Sequence, residues 1–346
     1  MGNARRAVAA GLVLGAGVCY CVYRLYRSRR AAGAAARPAQ DGGLLPQVSG
    51  LSVLPSRAWG APSSLHPDTD LPKSSSNLEA HHLQRLIHLL ESTDDPLIQE
   101  QALVTLSNSA AFSVNQDIIR NLDGLSIIGR MLSDSIPKVK EKALNTLNNL
   151  SMNVKNQEEI KVYILQVCKE IELSPLNSDL QLAGLRLLTN MSVTNDYHHM
   201  MTNAIPYFLH LLSEGNERTQ IQVLKVLVNL SANPVMTRHL HSAQLDPAPS
   251  LLSLFDNGIN KDILLRVLTF AANLNENMKN EEGIITQDRY SEDSIFFLLS
   301  GHSTQYAQKL LGLLHHQDKE VKGQAAKIIT LQRGDIQSPN PLLLFC

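Results

Sequence analysis

The stretch that decides the fold reads Lys140-Glu-Lys-Ala-Leu-Asn-Thr-Leu-Asn-Asn-Leu-Ser151. Ala143, Leu147 and Leu150 recur at helical spacing and line one apolar stripe, while Lys142, Asn145 and Asn149 lie on a polar side. The same design returns at Gln101-Ala-Leu-Val-Thr-Leu-Ser-Asn108, Leu182-Ala-Gly-Leu-Arg-Leu-Leu-Thr-Asn190, Gln222-Val-Leu-Lys-Val-Leu-Val-Asn229 and Leu264-Leu-Arg-Val-Leu-Thr-Phe-Ala-Ala-Asn273. The closing asparagines are 41, 41, 39 and 44 residues apart. A helix with an Asn on its polar side, repeated at that interval, is the sequence mark of a helical solenoid.

Working outward, each long helix is preceded by shorter apolar segments. Leu83, Leu86, Ile87 and Leu90 predict an amphipathic helix ending near Glu91-Ser-Thr-Asp-Asp-Pro96, with Asp94 or Asp95 capping the next helix and Pro96 in its first turn. In the second cycle a short helix over 115–121 is broken at Gly124, a second covers 125–132, and Asp134-Ser-Ile-Pro137 turns the chain into the long helix. Segments 163–173, 207–212 and 251–255 precede the later long helices, and 321–331 is a partial sixth copy with Leu331 at the Asn position. An insertion after Asn273, charged from Lys279 to Asp293, is expected to form a surface loop. A single unit cannot bury its apolar face, so stacking must supply the core. The equivalent long helices should then line one concave surface, with Asn108, Asn149, Asn190, Asn229 and Asn273 as a ladder along it.

The first 77 residues differ in character. Residues 7–23 carry no charge; Arg5 and Arg6 precede them and Arg24, Arg27, Arg29 and Arg30 follow. As a helix this stretch would be about 26 Å long, enough for a thin hydrocarbon core. The arginine cluster directly after it argues against a cleavable signal peptide, and a core without arginine argues against a matrix transit peptide. An uncleaved signal anchor over residues 1–30 is expected, and the excess of arginines after the span places the following body in the cytosol. Gly11 and Gly15 form a small-residue face through which two anchors would dimerise, although such residues also simply keep a span moderately apolar. Residues 31–77 hold six prolines and five glycines and show no amphipathic period, so a disordered tether is expected. The repeat domain is then 78–335 and the tail 336–346, whose apolar end is too short to span a membrane.

Formal net charge is −1, but residues 1–37 carry seven arginines and no acid, whereas residues 78–346 carry 22 bases against 29 acids. A mildly acidic body is a poor partner for duplex nucleic acid. The four cysteines have neither metal-site nor disulfide-framework spacing. The pairs His81-His82, His198-His199 and His315-His316 place adjacent rings about 100° apart on a helix, so none makes a bidentate metal face. No phosphate loop, HExxH or nucleophile elbow occurs. Neither cofactor nor metal nor catalytic residue is expected, and an enzyme would need chemistry hidden in a helical fold.

The short helix, longer helix, turn and polar-faced long helix resemble the three-helix unit of armadillo repeats. The fold expected is all-α: a right-handed armadillo-type solenoid of about six repeats behind an N-terminal transmembrane helix. In armadillo proteins of the importin-alpha and beta-catenin type such Asn residues hold an extended peptide, and an Asn side chain carries the donors and acceptor this needs. The same amide can instead bond a neighbouring helix end or repeat. Importin-type repeats place a Trp four residues before the Asn; here those positions are Val104, Asn145, Arg186, Lys225 and Thr269, which argues against classical basic nuclear signals. Changing Asn149 and Asn190 to Ala is expected to weaken partner capture with little loss of fold. Asn149-Leu-Ser, Asn190-Met-Ser and Asn229-Leu-Ser are formal glycosylation sequons, read here as a consequence of the repeat consensus.

The anchor with Cys-Tyr-Cys-Val-Tyr-Arg-Leu (19–25), the tether, and the repeats containing Ala-Phe-Ser-Val-Asn-Gln (111–116) and Leu-Leu-Thr-Asn-Met-Ser-Val-Thr-Asn-Asp (187–196) resemble the X-linked armadillo-repeat family of the mitochondrial outer membrane. The resemblance implies a non-catalytic, cytosol-facing scaffold that influences mitochondrial distribution and dynamics through mitochondrial Rho GTPases and the kinesin-adaptor complex. Its alternatives are a soluble nuclear or cytosolic regulator, made if the anchor is absent, and an anchor in the endoplasmic reticulum membrane.

Overall fold

A computed structural model describes residues 73–244, 249–280, 290–299 and 303–333. The chain divides into two units, Met1–Ser76 and Asn77–Cys346. The anchor with its six flanking arginines and the Gly11/Gly15 face, the tether up to residue 72 and the tail all lie outside the described residues. Among the described residues no helix is long and apolar enough to cross a membrane.

The first helix, α1 (Lys73–Ser92), begins five residues earlier than the sequence pattern indicates and buries Leu83, Ile87 and Leu90. Asp95 then caps α2 (Pro96–Ser109), accepting from the Leu97 N–H at 2.9 Å, with Pro96 at its start where a missing N–H costs nothing. The second cycle has the expected three-helix order. α3 (Ser113–Asn121) ends where Asp123 takes a left-handed φ of 56°, and α4 (Gly124–Arg130) continues into a 3-10 turn. Gly124 is required here, because a Cβ would sit 2.8 Å from the Ile119 carbonyl oxygen and 2.9 Å from Ile87 Cδ1. α5 (Pro137–Leu150) follows after Asp134 accepts from the Ile136 N–H at 2.7 Å.

The third cycle is α6 (Val154–Ile160), α7 (Ile164–Leu173) and α8 (Asp179–Met191). The fourth replaces the first helix by a 3-10 segment, Asn195–Ala204, before α9 (Ile205–Glu214) and α10 (Glu217–Ser231). The fifth is α11 (Thr237–His241), α12 (Pro249–Ser253) and α13 (Lys261–Asn280). A sixth unit, of which only the last helix was expected, comprises α14 (Ile295–Leu299), α15 (Thr304–Leu313) and α16 (Lys319–Arg333).

The long helices stack in sequence order: α2 on α5, α5 on α8, α8 on α10, α10 on α13 and α13 on α16. One apolar core runs through all of them, from Leu83 to Ile328. Within α8 only Asp179, Arg186 and Asn190 escape burial. Its flanks are taken by α5 and α10 and its back by α7, so these three residues mark the one open side of the helix. Each buried leucine in such a layer contributes roughly 1.5–3 kcal/mol of apolar transfer.

One expectation is corrected. The insertion after Asn273 does not start as a loop: α13 runs seven residues further, to Asn280, and 281–289 of the expected loop lie outside the described residues. No Gly or Pro stops it, and the extra turns are held from both sides. Asn277 Nδ2 donates to the Ser231 carbonyl at 2.9 Å and the Thr237 hydroxyl at 3.0 Å, and Lys327 pairs with Glu276 at 2.8 Å.

Candidate functional site

The five ladder asparagines come together as a row, and the contacts that align them are unusually regular. Asn149 Nδ2 donates to the Ser107 carbonyl at 2.9 Å, and Asn190 Nδ2 to the Asn148 carbonyl at 3.0 Å. Asn229 Nδ2 reaches the Thr189 carbonyl at 3.3 Å, and Asn273 Nδ2 the Val228 carbonyl at 3.4 Å. Each acceptor is the residue immediately before the preceding ladder Asn. These carbonyls belong to the last turn of a helix, where intrahelical partners run out. An amide turned the other way would set its own oxygen against a carbonyl oxygen, so the geometry fixes Nδ2 toward the preceding repeat.

A serine completes each rung. Ser151, Ser192 and Ser231 stand two residues after ladder asparagines, and their hydroxyls accept from Asn190 (3.0 Å), Asn229 (2.9 Å) and Asn273 (3.1 Å) of the following repeat. The same hydroxyls donate back to the carbonyls of Asn148, Thr189 and Val228 at 2.7, 3.0 and 2.9 Å. The Asn-X-Ser spacing is therefore a bonding pattern between repeats. At the first rung Ala110 stands where the serine would be, and Asn149 turns instead to the Ser107 hydroxyl at 3.0 Å. Asn108 has no earlier long helix to bond; its side chain is exposed and makes no hydrogen bond among the described residues. The ladder ends at α16, where Leu331 has no amide to offer.

The donors of Asn149 and Asn190 tie repeat to repeat, which argues against the expectation that changing them costs little of the fold. This geometry leaves the amide oxygen without a donor at four of the five positions among the described residues. Among the described residues no donor engages Oδ1 of Asn108, Asn190, Asn229 or Asn273, while Oδ1 of Asn149 accepts from Asn148 Nδ2 at 3.3 Å.

A second repeated position was not singled out from the sequence. Gln116 and Gln157 donate to the carbonyls of Ala110 and Ser151, both at 2.8 Å, closing the junction between a long helix and the next repeat. His198 stands at the same 41-residue interval and does the same to the Ser192 carbonyl at 2.7 Å. Because that oxygen can only accept, Nε2 carries the proton, and Nδ1 accepts from Asn233 at 3.1 Å. Burial holds this histidine below its ordinary pKa, in keeping with a neutral ring. It is a joint of the solenoid and has no open coordination site. Of the other pairs, His81 and His82 are exposed on α1, and His316 Nδ1 accepts from the Asp318 N–H at 3.0 Å. Among the described residues no three His, Cys, Asp or Glu are placed to hold a metal. Burial pushes the Cys168 thiol up to about 12, far from a nucleophile's range.

The open face itself is polar and charged. On α5, Lys138 and Lys142 share Glu141 at 2.8 and 3.1 Å. Burial raises the Glu141 carboxyl, but the hydrogen bonds from these two lysines outweigh it and hold the pKa below the ordinary value. Arg218 on α10 stands 3.9 Å from Asp179 on α8. Arg186 makes neither a hydrogen bond nor an ion pair among the described residues.

Comparison with known proteins matches this architecture. An Armadillo-like family model covers residues 78–300. Among solved structures, an engineered protein is 17% identical, with 73% of this chain and 97% of that one aligned at a TM-score of 0.59. A designed armadillo repeat protein is 15% identical over 72% of this chain and 99% of its own, at a TM-score of 0.58. Another, solved in complex with the peptide (KR)4, is 15% identical over 72% and 98%, at 0.57. At such identities the structural likeness speaks for the fold. The helical order, the stacked long helices and the family match agree: the chain belongs to the Armadillo-like family.

Proposed function

We propose that this chain is a membrane-tethered, non-catalytic adaptor whose open helix face captures an extended segment of a partner protein. The observation that carries the reading is the row of half-buried ladder amides along consecutive long helices, with Oδ1 acceptors left for a peptide main chain. The designed relative solved with a peptide supports the general mode of capture. Residues 1–30 act as a signal anchor in the mitochondrial outer membrane, with the repeats in the cytosol, supported by the uncharged span and its arginine flanks. Mitochondrial Rho GTPases and the kinesin-adaptor complex are the partners that the family resemblance suggests, and Gly11 and Gly15 would pair two anchors.

Two measurements test this. Imaging the full chain beside one lacking residues 1–30 should show a mitochondrial rim that becomes diffuse; an unchanged diffuse distribution refutes the anchor. Co-precipitation of a mitochondrial Rho GTPase should weaken about two- to tenfold with Asn108→Ala, the size of one lost hydrogen bond. Asn108 bonds nothing within the repeats, so undiminished capture would count against the ladder and not against the fold.

A further inference from the structure

Along α8 and α10 unburied cations outnumber acids, although the body as a whole is acidic. Residues 78–346 carry 22 bases against 29 acids. Yet the unburied residues of α8 and α10 include three cations, Arg186, Arg218 and Lys225, against two acids at the helix starts, Asp179 and Glu217, the latter accepting from Asn260 at 3.1 Å. Arg186 and Lys225 both stand four residues before a ladder Asn. Because Asn229 bonds the residue just before Asn190, the two helices are in register, and these cations face the open side as neighbours. Packed helix axes lie about 8–10 Å apart. Of the acids around Arg186, Asp179 is drawn toward Arg218 and Glu141 is shared by Lys138 and Lys142, while Lys225 lies 3.5 Å from Gln222. Arg186 is left half-buried and without a hydrogen bond or ion pair among the described residues. Burial, and then the charge of Arg218, disfavour its cationic form, against the weaker opposing pull of Asp179 and Glu141. A guanidinium has five donors in a fixed fork that suits a carboxylate. A half-buried cation beside a like charge, with that fork unfilled, has uncompensated donors that an anion would satisfy.

We infer that the open face over α8 and α10 selects an acidic segment of its protein partner, with one carboxylate seated in the fork of Arg186 beside Arg218 and Lys225. This rests on the peptide-capture reading and adds the chemistry of the captured segment. An extended chain advances about 3.3 Å per residue, so acids two or three positions apart reach cations on successive helices. The acidic body disfavours long polyanions, which leaves a short acidic stretch as the matching ligand. A basic peptide such as (KR)4 would meet like charge here.

The test is a selection of displayed random dodecapeptides on the full chain in non-ionic detergent. Selected peptides are then synthesised and titrated at low and high salt. Enrichment in Asp and Glu is expected. Arg186→Gln should weaken the best acidic peptide roughly tenfold at an unchanged melting temperature. Arg186→Glu should turn the selection toward Lys and Arg, and added salt should weaken wild-type binding. Binders without acid bias, or acidic binders indifferent to Arg186→Gln, would overturn the inference while leaving peptide capture standing. Failure to select any peptide would reject the capture reading together with it.

Discussion

The inter-repeat bonding of the ladder can be tested by comparing two changes that look alike in sequence. Asn190→Ala removes contacts from Nδ2 to the Asn148 carbonyl (3.0 Å), the Asn148 side-chain oxygen (3.1 Å) and the Ser151 hydroxyl (3.0 Å). One amide group has two protons, so two net hydrogen bonds are lost, each worth about 0.5–1.5 kcal/mol. The Asn148 carbonyl keeps its bond from the Ser151 hydroxyl at 2.7 Å, so it is not orphaned and no larger desolvation term is added. The expected destabilisation is about 2 kcal/mol. Asn108→Ala removes no such bond and should fall within about 0.5 kcal/mol of wild type. Urea unfolding of the full chain in mild detergent, followed by helical circular dichroism, reads both. With a slope of about 3 kcal/mol per molar, Asn190→Ala should unfold roughly 0.7 M earlier. Equal midpoints for Asn190→Ala and wild type, or equal losses for the two variants, would refute the inter-repeat role.

Other changes probe the core. Gly184→Ala would place a Cβ 2.6 Å from Ile171 Cγ1, so despite better helix propensity it should cost about 1–3 kcal/mol in the same melt. The Tyr306 hydroxyl is buried without a partner among the described residues, its ring edge-on to Phe255 at 5.1 Å. Tyr306→Phe should therefore leave stability unchanged or raise it by about 1 kcal/mol; a loss would reveal a bond not accounted for. Burial lowers His241 from 6.5 to about 4. Its stabilising neutral form is fully present above the unfolded pKa and is lost as pH falls from about 6.5 toward 4. The loss over that window is up to roughly 3 kcal/mol, and it should be flattened in His241→Phe.

Much of this architecture is legible in the sequence because the residues that carry it repeat at one interval. The Asn positions and the leucine stripes locate the long helices, and Pro96 and Pro137 mark their starts. What the ladder bonds was left open between peptide and neighbouring repeat, since an amide's partner depends on the register between helices. The serines at 151, 192 and 231 were visible only as sequons; their role appears once Asn190, Asn229 and Asn273 are set beside them. Adjacency pairs His198 with His199, whereas its place is set by Gln157 and Gln116, 41 and 82 residues away. The run of α13 past Asn273 escaped the repeat pattern, since its support comes from Ser231, Thr237 and Lys327 on other elements. The unpartnered state of Arg186 is likewise a property of its neighbours and not of its own segment.

The most direct measurement is a crystal structure of the full chain bound to the best selected peptide. The account predicts an extended peptide across the open sides of α5, α8 and α10, its main chain on the ladder Oδ1 atoms and a carboxylate on Arg186. A peptide seated instead on α7 and α9, with Arg186 still unpartnered, would contradict it.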